Sequence, residues 1–552
     1  MKKVFFLLVA FMLAGCSSPI DQLAHTITEE SLMEPIKILS SDEFRGRATG
    51  TIGEEKTVNY LVSQLKELGI KGGAADGGYV QDVPLIGQKT AQDAEIHITK
   101  NGDTIHSFDY YTEFMAWPSN LEEEVSIEDA ELIYVGYGIQ APEENWDDFK
   151  GADVEGKVLI VKNSDPAGNP ELFKGDARLY YGRYDYKYEK ARELGALGVL
   201  IIHTTPTAGY GWNVVANSWS GERFYLRNNE AMKSSLTEFN GWLTKDASAK
   251  LFESAGLDLM EQLKAAESRS FEPVVLEDLK LSLDLSATYR KMNTKNVLGV
   301  IEGNDDQLKD EYLVFTAHHD HLGITKPVEG DSINNGALDN AAGVSAVLNL
   351  ARVYKELQPQ LKRSILFLFV GAEEVGLLGS KYWAAHPTVH PGKVTANINL
   401  DGMNVYGKTK DLVLVGYGRN TASDVIEKVA TERGRTVKPD PHPDRGYFYR
   451  SDHFSLAKVG IPAIFPNAGT EFIDKPAGYL ATIDSVEAAN YHTVNDEINQ
   501  YWDLSGMVQD VRLIFRAGYR IINARDMQRW DEGDEFKQTR LEMIEAAEKL
   551  EE

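Results

Sequence analysis

The sequence predicts an α/β fold: a mostly parallel mixed sheet covered by helices on both faces, with a smaller inserted domain. Three observations predict it. From residue 311 onward, runs that are apolar throughout ("EYLVFTA", "RSILFLFVG", "VTANINLD", "DLVLVGYG") alternate with helix-patterned segments. Strands that lack polar alternation are covered on both faces, the usual condition of a parallel sheet. Polar, chemistry-bearing residues follow the ends of these runs. Between about 127 and 274 the texture changes to short strands and loops, which marks off a unit of its own.

At 552 residues, 43% hydrophobic and 26% charged, the chain has room for more than one core. A formal net charge of −27 argues against a nucleic-acid partner, because phosphate binding needs a basic surface.

Taken in order, the chain opens with "MKKVFFLLVAFMLAGCSS", two lysines followed by an apolar stretch from Val4 to Leu13. That stretch is too short to span a bilayer and fits a signal-peptide core. "LAGC" resembles the lipobox of bacterial lipoproteins. The resemblance implies a leader over 1–15, lipid on Cys16, and membrane attachment in a bacterial cell envelope. Ser17 directs it to the outer membrane under the usual sorting pattern. Cys16 is the only cysteine; once lipidated, it leaves no free thiol or disulfide, a safe composition in an oxidising compartment.

Residues 16–34 read as a polar tether. "GEEKTVNYLVSQLKELG" puts Val58, Leu61, Val62, Leu65 and Leu68 on one helical face and stops at Gly69. The inserted unit offers strands in "AELIYVGYG" and "GKVLIVKNSD", then a helix followed by a strand in "YEKARELGALGVLIIHTT". "LKLSLDLSATYRKMNTKNVLGVIEG" is a two-part strand pattern leading back to the main domain, which comprises 35–126 and 275–525. There "DNAAGVSAVLNLARVYKEL" forms a helix with Val344, Val347, Leu348 and Ala351 inward. "MVQDVRLIFRAGYRIINA" is a late packing helix, and 526–552 is read as a charged, solvated helical tail.

In open α/β sheets, ligands bind outside the carboxyl ends of the strands. "EYLVFTA" ends at His318, "RSILFLFVGA" at Glu373 and Glu374, and "VTANINL" at Asp401. Asp339 opens the helix after the first of these strands, and His492 sits in the loop "YHTVNDE". Singly these residues have plainer roles: a helix cap for Asp339, a turn residue for Asp401, a loop histidine for His492. Together, two histidines and several carboxylates without a thiolate suit a zinc-type hydrolytic centre. A carboxylate shared by two ions would hold them roughly 3.5–4 Å apart. Tandem glutamates offer a ligand beside a free general base.

The motifs "TAHHDHLG", "ALDNAAGVSAVL", "FVGAEEVGLLGS", "NLDGM" and "YHT" resemble, in order and interval, those of the M28 family of zinc metallopeptidases. The likeness covers about 280 to 525. It implies two zinc ions, although manganese and cobalt suit the same donors. His318 and Asp401 would hold one, Glu374 and His492 the other, and Asp339 both, with an unusual peptide bond to Asn340. Glu373 matches the base that takes a proton from the attacking water. His318 occupies the family's H-x-D position; Asp320, two residues on, would orient its imidazole, and His319 would point away. His321 is read as a loop residue or as one that supports a ligand from behind, and His453 as structural. Tyr491 is a candidate donor to the tetrahedral oxyanion. Arg45 and Arg47, in "SDEFRGRATGT", are candidate substrate-side residues.

Residues 127–274 are similar to the protease-associated domain inserted in several family members, which walls the substrate cleft. The resemblance implies peptide substrates and exopeptidase action, aminopeptidase by preference, with carboxypeptidase and dipeptidase action open. A non-catalytic peptide-binding lipoprotein on the same scaffold is the rival; the intact Glu373 argues against it. "GMNVYGKT", 402–409, satisfies a phosphate-loop pattern, but that loop requires a helix starting at the lysine. Here Lys408 leads into a strand pattern. The sequence leaves the oligomeric state open.

Overall fold

The computed structural model describes residues 18–227 and 236–550, and in it two sheets share one long strand. The leader and Cys16 lie outside the described residues. The strands that position the site are β1 (Val80–Thr90), β2 (Glu124–Tyr134), β3 (Val158–Lys162), β4 (Gly198–His203), β5 (Phe239–Thr244), β6 (Val274–Ile301), β7 (Tyr312–His318), β8 (Ser364–Val370), β9 (Val394–Asn399), β10 (Asp411–Val415) and β11 (Ala463–Asn467).

The first sheet is the main one. The C-terminal part of β6 pairs antiparallel with β1 and β8. From β8 the order runs parallel through β7, β9 and β11, with β10 antiparallel to β11 at the far side. Apart from half-buried Tyr312, every residue of β7, β8 and β9 is buried, which is why their sequences show no polar alternation. Helices α1 (Ile52–Glu67), α2 (Gly343–Glu356) and α3 (Leu378–Ala385) flank the sheet, as does α4 (Ser505–Asn523). In α2 the face formed by Val344, Val347, Leu348 and Ala351 is buried, as its spacing predicts. Residues 402–410 hold no helix and lead into β10, so the phosphate-loop pattern lacks its helix.

The second sheet belongs to the insert. The N-terminal part of β6 pairs antiparallel with β2 and with Glu95–Lys100. Parallel pairing continues from β2 through β3 and β4 to β5, and β5 is closed by Phe114–Pro118. This sheet takes in more chain than 127–274, reaching back to Glu95 and forward along β6 to Ser286.

Two terminal expectations are corrected. Residues 18–34 are no tether: Pro19–His25 and Glu29–Leu39 are helices with Ala24, Ile27, Leu32 and Ile36 fully buried. Asp21 accepts from Arg516 at 3.0 Å and Arg433 at 2.7 Å, fixing the segment to partners far along the chain. The C-terminal segment is docked, not free. Trp530 and Phe536 are buried, and in α5 (Lys537–Lys549) the buried Arg540 donates to the Pro391 carbonyl at 3.0 Å. No described helix is long and apolar enough to cross a membrane.

Candidate metal centre

Because β7, β8 and β9 run parallel, their carboxyl ends deliver His318, the Glu373–Glu374 turn and Asp401 to one edge. Asp339 arrives from the turn ahead of α2, where the Asp339–Asn340 peptide bond is cis. Asn340 secures that turn. Its Nδ2 donates to the Leu400 carbonyl at 3.0 Å, and its Oδ1 accepts from the Gly343 and Gly402 amides at 2.9 and 3.1 Å.

The centre has two poles joined by Asp339. At the first, His318 Nε2 lies 3.1 Å from Asp339 Oδ1 and 3.2 Å from Asp401 Oδ1. At the second, His492 Nε2 lies 3.1 Å from both Asp339 Oδ2 and Glu374 Oε2. His492 reaches this point from the residue pair after helix Tyr479–Asn490. The structure therefore brings together His318, Asp339, Glu374, Asp401 and His492, with Glu373 beside them. Donor atoms of His318, Asp339 and Asp401, of His318, Glu373 and Glu374, and of His321, Asp339 and Glu374 each converge within 4.8 Å.

Asp320 takes a different part from the one expected. Its carboxylate stands 3.9 Å from His318 Nδ1, and it is the Asp320 backbone carbonyl that meets this nitrogen, at 3.2 Å. The carboxylate accepts instead from the amides of Glu373 at 3.0 Å and Glu374 at 3.3 Å, fixing the glutamate turn. His319 does point away, its Nε2 on the Lys295 carbonyl at 2.8 Å. Of its two readings, His321 takes the supporting one: its Nδ1 is 2.7 Å from Glu374 Oε1.

Arg47 is not on the substrate side. It is 1% exposed and donates to the carbonyls of Leu39, His319, Asn335 and Gly336 at 2.6–3.0 Å. It thereby clamps both the H-x-D segment and the loop that leads to Asp339. Burial lowers its pKa to about 10 against the opposing pull of Asp496 and Asp339, so it stays charged. Arg45 is exposed. His453 is buried between Phe448 and Phe465, a packing residue as read. Tyr491 stacks on His492, ring centroids 3.8 Å apart, and is 57% exposed at the cleft.

Two supporting residues escaped the sequence reading. Asp496 accepts from the amides of Leu338 and Asp339 at 2.9 and 3.0 Å; its position in the same "YHTVNDE" segment was the available signal. Ser451 donates to Asp401 Oδ2 at 2.5 Å and accepts from Asn399 Nδ2 at 2.7 Å, and nothing local marks it.

The electrostatics fit divalent cations. Burial drives the Glu373 carboxyl well above its usual range, and the neighbouring Glu374, Asp401 and Asp452 add to the rise. Burial would also raise Asp339, yet the hydrogen bonds from His318 and His492 outweigh it and hold that carboxyl well below the usual value. Burial opposes the His492 imidazolium, but Asp339 and Glu374 push its pKa to about 10. His318 is raised well above normal, Asp401 and Glu373 overcoming its burial. Both imidazoles are thus pressed to carry positive charge by crowded carboxylates. Cations bound among the same atoms would satisfy that demand, and the oxygen and imidazole donors suit zinc.

Residues 296–515 match the family model for Peptidase family M28. Aminopeptidase YwaD of Bacillus subtilis is 32% identical over 220 residues, 39% of this chain and 44% of that protein. A "probable leucine aminopeptidase 2" of Aspergillus oryzae is 23% identical, covering 89% of this chain and 84% of its own. Among solved structures, an aminopeptidase from Aneurinibacillus sp. strain AM-1 aligns with a TM-score of 0.49 at 20% identity, over 92% of this chain and 99% of its own. The chain spans less than half the length of several curated relatives it matches, YwaD and two fungal "Probable zinc metalloprotease" proteins among them. The segment that holds the metal centre, residues 296–515, is a domain of peptidase family M28.

Proposed function

We propose that the protein is a zinc-dependent exopeptidase with two metal ions, acting as an aminopeptidase. One observation carries the reading: the two oxygens of Asp339 face different histidines, His318 at 3.1 Å and His492 at 3.1 Å. A single carboxylate so placed would serve two ions. His318, Asp339 and Asp401 would hold one, and Asp339, Glu374 and His492 the other. Zinc bound there supplies Lewis-acid polarisation of the scissile carbonyl and favours ionisation of water near neutral pH.

The chain's own residues do the rest. Glu373 accepts the proton of the attacking water and returns it to the leaving amine. Asp320 keeps the Glu373 backbone in register through its amide. Tyr491, open to the cleft beside His492, is placed to donate to the oxyanion. Relatives named aminopeptidases favour the amino end of the peptide. The lipobox adds a lipid on Cys16 and an outer-membrane site in a bacterial envelope.

The test is mass spectrometry of a mixed peptide pool incubated with the protein, with and without chelator. Chelator-sensitive loss of N-terminal residues supports the proposal. Loss from the C-terminus would redirect it to a carboxypeptidase, and intact peptides in a sample carrying two zinc ions would favour a binding protein.

A further inference from the structure

The chain beyond residue 515 lies outside the stretch that matches the family, yet part of it is built into the main domain. Between α4 and α5, Trp530, Asp534, Glu535 and Phe536 close around one side chain, Arg419. Its Nε donates to Asp534 Oδ2 at 2.7 Å and its Nη2 to Glu535 Oε1 at 2.8 Å. Four rings surround the same guanidinium, their centres 4.0 Å (Phe448), 5.3 Å (Phe536), 5.6 Å (Trp530) and 5.8 Å (Tyr449) from its central carbon. Two backbone bonds seal the join: the Asp531 amide on the Arg419 carbonyl at 2.9 Å, and the Thr421 amide on the Arg529 carbonyl at 3.0 Å.

A guanidinium paired with two carboxylates and set among aromatic rings holds its partners in fixed directions, because it is planar and always charged. What it grips here sets this cluster apart from an ordinary tail contact. Phe448 and Tyr449 belong to the short loop that carries Ser451, and Ser451 holds Asp401. Its Oγ donates to Asp401 Oδ2 at 2.5 Å, which leaves Oδ1 toward His318 at 3.2 Å.

The loop is held on both sides of Ser451. Ahead of it, the Tyr449 hydroxyl donates to Glu535 Oε1 at 2.7 Å. The Phe448 ring lies 6.2 Å from Phe536 and 6.4 Å from Trp530. After it, in helix His453–Lys458, the Phe454 ring lies 6.2 Å from the same Phe536. The Arg450 amide on the Tyr447 carbonyl at 3.1 Å and the Phe454 amide on the Ser451 carbonyl at 3.0 Å tie the intervening turn. Phe448, Tyr449, Ser451 and Phe454 are all buried. In a close-packed interior the loop cannot shift without displacing Glu535 and Phe536. Asn399 aims the Ser451 hydroxyl; the C-terminal residues fix the backbone that carries it.

We propose that residues 529–536 are a positioning element of the metal centre: with Arg419 as keystone, they set the Ser451 hydroxyl on Asp401 and so tighten the ion at the His318 pole. The inference rests on the two-metal reading and adds to it a part of the chain that the family match does not include. Among the described residues, the hydrogen bonds of Ser451 lead to Asp401 and Asn399, not to Glu374 or His492, so the second pole is left alone.

Competitive chelator titration of the full chain reads the two zinc affinities separately, and the site lost in His318→Ala identifies the first pole. Ser451→Ala should weaken that site by about 10- to 100-fold, the usual worth of a partner that orients a ligand. Arg419→Gln should weaken the same site by at least about ten-fold and leave the other unchanged, with Arg419→Lys restoring part of the loss. Made in Ser451→Ala protein, Arg419→Gln should add nothing, since both act through one bond. Tyr449→Phe keeps every ring and loses only the bond to Glu535. It is the milder variant if Arg419→Gln does not fold, and it should move the same site in the same direction. Equal weakening of both sites, additive losses in the double variant, or unchanged affinity in Tyr449→Phe overturns the keystone, while two ions on wild type keep the metal reading. Wild type that binds no ion at the first pole defeats that reading, and the keystone with it.

Discussion

Oδ1 of Asp339 lies 3.1 Å from Nε2 of His318, while the other oxygen of that carboxylate faces His492. One side chain thereby serves both poles of the centre. Asp339→Ala should reduce bound zinc from two ions per chain to fewer than one, whereas His318→Ala should remove only one. Metal analysis of purified protein by inductively coupled plasma mass spectrometry checks the contrast; equal losses from the two variants would contradict a shared ligand.

In the proposed mechanism Glu373 is the general base among the candidate ligands and would need no metal bond of its own. Glu373→Gln should retain both ions while kcat falls by about 10²- to 10⁴-fold, the usual worth of a positioned general base. A variant that loses zinc in proportion to activity would make Glu373 a ligand instead.

His321 meets Glu374 Oε1 at 2.7 Å, a contact at the second pole alone. His321→Ala should weaken zinc there by about 10- to 100-fold, as loss of a ligand-orienting partner does. Competitive chelator titration should show one site shifted and one unchanged. Two unshifted sites would return His321 to a loop role.

Arg47 presents four hydrogen bonds to backbone carbonyls on either side of the centre. Arg47→Ala would leave those buried acceptors unpaired, costing at least about 3 kcal/mol of stability. The loss should appear in urea unfolding together with weaker zinc binding. An Ala variant as stable as wild type would refute the clamp.

Burial depresses His453 from 6.5 to about 3, so the folded protein keeps it neutral where the unfolded chain protonates it. Its contribution is full above pH 6.5 and falls away as pH drops from there toward 3. Replacing it by phenylalanine, a ring that suits the Phe448 and Phe465 surroundings, should flatten Tm against pH across that window. Parallel slopes for the two proteins would rule the residue out as an acid-sensitive element.

The centre could be read in the sequence because each of its parts follows an apolar run that fixes its position at a strand end. His318, Glu373, Glu374 and Asp401 needed only the order of strands to be placed together. Contacts set by distant partners could not be read. Asp21 looks like a tether residue until Arg433 and Arg516 are in place. Arg47 looks solvated until its four carbonyls converge, and Arg540 looks like part of a solvated tail until it meets Pro391. Asp320 lies on the expected side, but the pull of the Glu373 and Glu374 amides, which only the folded turn presents, decides what its carboxylate holds. The insert's margin was missed because Glu95–Phe108 pairs with residues nearly two hundred positions away or with itself, leaving no change of composition at the boundary.

The shared strand has a consequence for anyone who would exchange modules between relatives. Along β6, Ser286 pairs with Glu124 in the insert and the very next residue, Ala287, pairs with Thr90 in the main sheet. No linker separates the halves at that point. A chimera cut there would splice two sheets through one continuous backbone ribbon. The transplantable unit is therefore the insert with the whole of β6 and its partner β1, and the cleft geometry travels with it.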